Sequence, residues 1–169
     1  MRISYDHRFE APIDTVVAML SSEEFGRARA KAAGADDSDV LVDKHEDGGF
    51  TVVIRRSVPA ASIPEEFRAF VGGKIMVRYT EAWAAADHNG DASDREGTFA
   101  MEIQGTPGHA RGAVVLKPIG DNATAFGLAG EVQAPVPLVG PLIERTVAQA
   151  IEQALPRELS AADDWLSRN

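Results

Sequence analysis

The feature that most limits what this chain can fold into is the run from Asp39 to Ala134. It is a succession of strand-length segments in which apolar and polar residues alternate with period two. Phe50, Val52 and Ile54 share one face, as do Ile75, Val77, Tyr79, Glu81 and Trp83. Phe99, Met101 and Ile103 follow, then Val114 and Leu116, then Phe126, Leu128 and Val132. The opposite faces carry Arg55, Lys74, Arg78, Glu102, Lys117 and Glu131. A sheet built this way has one wet face and one that another element must cover. The long element left to do so is the apolar-periodic segment near the C-terminus.

Punctuation sets the order of elements. "RISYDHRFEA" alternates, with Ile3, Tyr5, His7 and Phe9 on one face, and predicts a first strand. Pro12, at a natural first helical position, opens a short helix to Leu20. Ser21 and Glu24 are spaced as a capping box for a second short helix. Gly34 is placed to close that helix in the left-handed conformation. Asp47-Gly48 suits a type I′ hairpin turn. Between the second and third strands of the main series, Ser62 and Glu65 form another capping box. Ile63, Phe67 and Phe70 give that segment one apolar helical face, as a core plug or as a lid hinged at Gly72-Gly73. Pro135 and Pro137 lack amide donors and end the last strand, and Gly140-Pro141 start the final helix. In that helix Ile143, Val147, Ala150, Ile151 and Ala154 fall in one arc, and Pro156 predicts a kink or brief break. Strands with segregated helices define an α+β fold. The expected order is a strand, two short helices, about six antiparallel strands and a long helix, in one domain over 1–169.

Composition narrows the function classes. The 169 residues carry a formal charge of -9 and no cysteine. Thiolate chemistry, disulfides and cysteine metal sites are excluded. The acidic balance argues against nucleic-acid backbone binding. No apolar run approaches the roughly 20 residues a membrane helix needs, which predicts no integral membrane association. The N-terminal segment alternates from the outset and lacks the apolar core of a signal peptide, so a cytoplasmic location is expected. An evenly charged acidic surface is compatible with a monomer or a weak homodimer.

With these elements in order, the chain resembles the START-like, or SRPBCC, superfamily and its helix-grip fold. The resemblance rests on "FEAPIDTVVAML", on the element order, and on "EVQAPVPLVGPLIERTV" running into the last helix. More narrowly it resembles a bacterial family of that superfamily known only as a domain of unknown function. That family's pattern is matched by "YTEAW" at Tyr79 to Trp83, "GTPG" at Gly105 to Gly108 and "VPLVGPLIE" at Val136 to Glu144. The resemblance covers essentially the whole chain. It implies a curved antiparallel sheet of about seven strands with the long C-terminal helix across its concave face. It also implies a cavity for a hydrophobic ligand, and it carries no catalytic residue over. The superfamily contains lipid carriers, plant hormone receptors, polyketide cyclases and aromatases, chaperone activators and toxin-like proteins.

The motifs of hydrolases and phosphate-binding loops are missing. "GTPGHARG" joins two strands and lacks the lysine of a phosphate loop, and no nucleophile elbow occurs. His7, His45, His88 and His109 have no helical i, i+4 partner, and "DKHED" leads into a turn, so neither metal nor cofactor is expected. The most pointed signal is the ionisable groups on the covered face: His7, Arg56 and Glu81, with Tyr5 and Tyr79 beside them. Either Glu81 satisfies Arg56 or His7 at the sheet's rim, or these are the few polar groups of an apolar pocket. On the pocket reading the lining is Tyr5, His7, Ile54, Arg56, Tyr79, Glu81, Phe99, Met101, Leu116, Phe126, Ile143, Val147, Ala150 and Ile151. Ala150→Trp is then expected to abolish binding without unfolding the protein. Three functions are compatible with this: binding of a hydrophobic small molecule or lipid, a cyclase or aromatase-like enzyme with His7 and Glu81 as acid and base, or a solid-core protein-interaction domain. The lack of a clear catalytic constellation favours the binder over the enzyme.

Overall fold

The computed structural model describes residues 1–59, 65, 74–86 and 94–169. The segment with Ser62, Ile63, Phe67 and Phe70, its Gly72-Gly73 hinge, and His88 lie outside the described residues. The elements are β1 (Arg2–Phe9), α1 (Ile13–Leu20), α2 (Glu23–Ala32), β2 (Asp37–Lys44), β3 (Phe50–Pro59), β4 (Lys74–Trp83), β5 (Arg95–Ile103), β6 (His109–Ile119), β7 (Ala123–Gln133) and α3 (Gly140–Arg168). The seven strands form one sheet in the order β1-β7-β6-β5-β4-β3-β2. Every neighbouring pair is antiparallel. The α+β class expected from the alternation and the helix-grip arrangement that the resemblance implies are the architecture found.

Consecutive strands from β2 to β7 pair side by side, while β1 closes against β7 by pairing Arg2 with Glu131 through Phe9 with Thr124. The residues assigned to the covered face are those the sheet buries, among them Phe50, Val52, Ile54, Phe99, Leu116 and Val132. Two glycines let the sheet pack closely at its centre. Gly112 faces Gly130 across β6 and β7. A Cβ on Gly112 would stand 2.1 Å from the Ala129 carbonyl oxygen, and one on Gly130 only 2.8 Å from the Phe99 ring. The missing side chains let the strands approach and let Phe99 lie over them, a known use of strand glycine.

Three local expectations are corrected. Ser22, not Ser21, caps α2: its side chain accepts from the Phe25 amide at 3.4 Å, while Ser21 donates to the Ala18 carbonyl and helps end α1. The β2–β3 turn is not type I′, because that type needs a left-handed residue at Asp47 and Asp47 has none. Gly48 alone is left-handed there, at φ 90°, and the extra residue Gly49 closes the loop by accepting from the His45 amide at 2.8 Å. This is the longer type I turn with a glycine bulge. Gly34 does act as expected: at φ 83° its amide bonds Lys31, and that of Ala35 bonds Ala30, a Schellman closure of α2.

The third correction concerns α3. It runs unbroken through Pro156, which lies on the exposed side of the helix, as does Glu152, whose carbonyl loses its helical donor. Its buried residues are Val147, Ala148, Leu155, Glu158, Leu159 and Ala162, with Ile151 half-buried. At about 100° per residue this arc is turned from the expected one, and Ala150 lies roughly 120° from its centre. Ala150 is exposed and lines no interior space. Gly140 sets where the helix starts: a Cβ there would meet the Ala134 carbonyl oxygen at 2.4 Å. Glu144 then reaches back to accept from the Ala134 amide at 3.1 Å. The helix packs along α2 and α1 and meets the sheet most closely at β7 and β1.

Candidate functional site

Four charged side chains meet inside the molecule between the sheet, α2 and α3. Glu81 of β4, only 1% exposed, is the centre. Its Oε1 accepts from Arg29 Nη2 at 2.9 Å and from the Tyr79 hydroxyl at 2.5 Å, and its Oε2 from Trp83 Nε1 at 3.0 Å. The alternation of β4 places Tyr79, Glu81 and Trp83 on one face, so the "YTEAW" stretch builds this cradle within one strand. Glu158 of α3 is shared between two arginines. Its Oε1 accepts from Arg56 Nη1 at 2.8 Å and its Oε2 from Arg29 Nε at 3.3 Å. Arg29 also lies over the Tyr79 ring, its guanidinium carbon 5.3 Å from the ring centroid. Two cations and two anions leave the buried group neutral, which is the condition for keeping charges out of water at all.

Burial alone would push the Glu81 carboxyl up. The charge of Arg29 and the bonds from Arg29, Tyr79 and Trp83 outweigh it and hold Glu81 below its ordinary range. Burial likewise works against the Arg29 cation, and Glu81 and Glu158 overcome it and hold Arg29 well above its ordinary value. Burial and then the Glu81 charge push the Tyr79 phenol well up. Glu81 is therefore held as the carboxylate, with Arg29 and Tyr79 holding their protons. Arg29 Nη1, Arg56 Nε and Ser57 Oγ are buried with no partner among the described residues.

Two small cavities flank this network. One of about 30 Å³ is lined by Arg56, Tyr79, Phe99, Met101, Leu128, Ile151, Ala154, Leu155 and Glu158. The other, about 10 Å³, is lined by Phe9, Leu20, Phe25, Arg29, Glu81, Phe126, Leu155, Glu158, Leu159 and Ala162. A water needs about 10–15 Å³ by this measure, so each holds a water or two at most. Leu155 and Glu158, neighbours on one turn of α3, wall both.

The structure brings part of the expected lining together. Arg56, Tyr79, Phe99, Met101 and Ile151 surround the larger cavity, and Glu81 and Phe126 the smaller. Tyr5, His7, Ile54, Leu116, Ile143, Val147 and Ala150 line neither. Ile54 and Leu116 are core, Ile143 and Val147 belong to the first turns of α3, and Tyr5 is half-buried on β1. Neither rim pair expected for Glu81 forms. Arg56 turns to Glu158, and His7 Nε2 lies 3.0 Å from Asp163 Oδ1 at the β1–α3 edge, its ring edge-on to Phe9 at 4.8 Å. His7 and Glu81 thus do not form an acid–base pair. Alternation identifies a strand's face but not which helix residue stands opposite it. Arg29 and Glu158, the partners that reasoning missed, were signalled only by helical phase. Arg29 falls four residues after Phe25, and Glu158 between Leu155 and Ala162. Among the described residues no cluster of three or more metal-ligating side chains occurs. No helix among them is long and apolar enough to cross a membrane.

A curved seven-stranded sheet gripping a C-terminal helix is the START-like, helix-grip fold. Solved structures share this fold. A START superfamily protein from Mycobacterium smegmatis superposes with a TM-score of 0.57 at 14% identity, covering 99% of this chain and 97% of its own. A Streptomyces aromatase/cyclase superposes with a TM-score of 0.65 at 13% identity, covering 99% and 94%. The chain belongs to the family described as protein of unknown function (DUF2505), whose profile matches residues 4–166. It is also 22% identical over 171 residues to an uncharacterised protein of Mycobacterium tuberculosis, covering 95% of this chain and 94% of that one.

Proposed function

We propose that this protein binds a hydrophobic small molecule or lipid between β4–β7 and α3, as a binder rather than an enzyme. The observation that carries the reading is the larger cavity. Its floor is apolar, with Phe99 and Met101 from β5 and Leu128 from β7, and its polar groups, Arg56, Tyr79 and Glu158, gather on its border. Apolar walls with a few convergent polar groups are the general form of a ligand site. Small residues favour the same place: Ala154 roofs the cavity, and Gly112 and Gly130 lie under Phe99. Catalysis is the weaker reading, because every oxygen of Glu81 is already bonded and His7 is engaged elsewhere.

At about 30 Å³ the cavity is far smaller than a lipid, and such a ligand fits only if walls such as Leu155 and Glu158 move apart. That small volume favours one competing reading, a solid-core domain that works through its surface. Gentle native mass spectrometry followed by organic extraction separates the two. A stoichiometric apolar adduct, or thermal stabilisation by some member of a lipid and polyketide panel, supports the binder. A clean mass together with no stabilisation by any member overturns it.

A further inference from the structure

Glu158 differs from Glu81 in how it is held. Glu81 sits on a central strand, fixed by donors two residues away on either side, Tyr79 and Trp83, and by Arg29. Glu158 comes from the helix that must move, and it gives one oxygen to each of two arginines anchored elsewhere, Arg29 on α2 and Arg56 on β3. Neither arginine is saturated: Arg29 Nη1 and Arg56 Nε remain buried without a partner among the described residues, although Arg29 is only 6% and Arg56 9% exposed. An unsatisfied buried donor is costly, and two of them around one carboxylate leave room for a better-bonded anion.

From this geometry we infer that Glu158 occupies the seat of a ligand's own carboxylate, and that the ligand is an apolar molecule ending in a carboxylate group. The inference rests on the binding reading above and names its ligand class. The acid's head takes the place between Arg29 and Arg56, and its apolar body lies along Phe99, Met101 and Leu128. Charge decides that the exchange is one for one. The closed group is neutral, so a second anion is accommodated only when Glu158 leaves. Leu155, one turn back on the same helix, leaves with it, and the two flanking cavities become one. Binding of the acid and displacement of α3 are then a single event. A neutral molecule of the same length gains no such exchange, because displacing Glu158 would strand two buried guanidinium groups.

The experiment compares decanoate with decanol on the wild-type protein and on Glu158→Gln and Arg56→Met, by calorimetry at neutral pH. The wild type is expected to bind decanoate at least about ten-fold more tightly than decanol. Glu158→Gln removes the competing anion, and is expected to tighten decanoate about ten-fold or more and so to widen its preference over decanol. Arg56→Met is expected to abolish the preference. Equal binding of acid and alcohol by the wild type overturns the carboxylate assignment and leaves the hydrophobic-ligand reading standing. Binding of neither compound to any folded protein overturns both. The wild-type comparison needs no variant, so it decides the matter even if a substituted protein does not fold.

Discussion

Arg29→Met is the sharpest test of the buried network. Methionine fills much of the same volume but takes away the one cation that touches both carboxylates, at 2.9 Å to Glu81 and 3.3 Å to Glu158. Arg56 then remains for Glu158, and Glu81 keeps only its neutral donors, Tyr79 and Trp83. One buried negative charge is uncompensated. Removing one partner of a buried pair costs about 3–5 kcal/mol. At about 2–4 °C per kcal/mol for a chain of this size, the midpoint should fall by roughly 6–20 °C. The penalty should also depend on pH in a definite direction. In the wild type Glu81 is held below the usual carboxylate range, so its contribution is present at neutral pH and is lost as pH falls through that lowered value. In the variant, burial without Arg29 pushes Glu81 upward, so it takes a proton at mildly acid pH and the stranded charge disappears. The gap between variant and wild type should therefore narrow from pH 7 to pH 5. Adding Glu81→Gln to Arg29→Met should recover part of the loss at pH 7. Urea unfolding at several pH values measures all three effects. A loss under about 1 kcal/mol, or one that does not change with pH, would refute the claim that these charges are dry and mutually compensated.

Other substitutions probe the frame around the site. Gly130→Ala would set a methyl 2.5 Å from the Arg111 carbonyl oxygen and 2.8 Å from the Phe99 ring, and should cost about 1–3 kcal/mol in denaturant titration. Ala150→Trp should change stability by no more than about 0.5 kcal/mol and leave ligand binding intact, because Ala150 is exposed. Ala154→Trp, projected into the larger cavity, should block binding in a direct titration. Leu138→Asn should raise stability slightly in thermal melts. Leu138 is fully exposed at φ 71°, where a bulky residue is strained by about 1–2 kcal/mol and asparagine is better tolerated.

The sheet was legible because period-two alternation is coarse: it needs only one bit per residue, and five successive strands agreed on which face was apolar. The helical phase of α3 was not legible in the same way. Ala148, Ala150, Ala154, Ala161 and Ala162 satisfy more than one apolar arc, and the true arc includes Glu158, a residue that hydrophobic periodicity counts against itself. Arg29 was hidden by the same effect, since "EEFGRARAKA" reads as a solvated helix until Glu81 is placed beneath it. Glu81 and Arg56 could be assigned to the covered face, yet their partners lie 52 and 102 residues away in the chain. Buried charges have no local signature. They become intelligible only when the opposite charge is found across the core. The turn at Asp47 and the cap at Ser22 were missed for a smaller reason, a neighbouring glycine or serine that shifts the geometry by one residue.

The account stands or falls on whether the space walled by Leu155 and Glu158 opens to a ligand. The direct measurement is an amide-resolved NMR titration of the intact protein with decanoate. The account predicts shifts concentrated at Ile151, Ala154, Leu155 and Glu158 on α3 and at Phe99, Met101 and Leu128 on the sheet, saturating at one equivalent. Shifts scattered over the surface without saturation, or none at those residues, would contradict it.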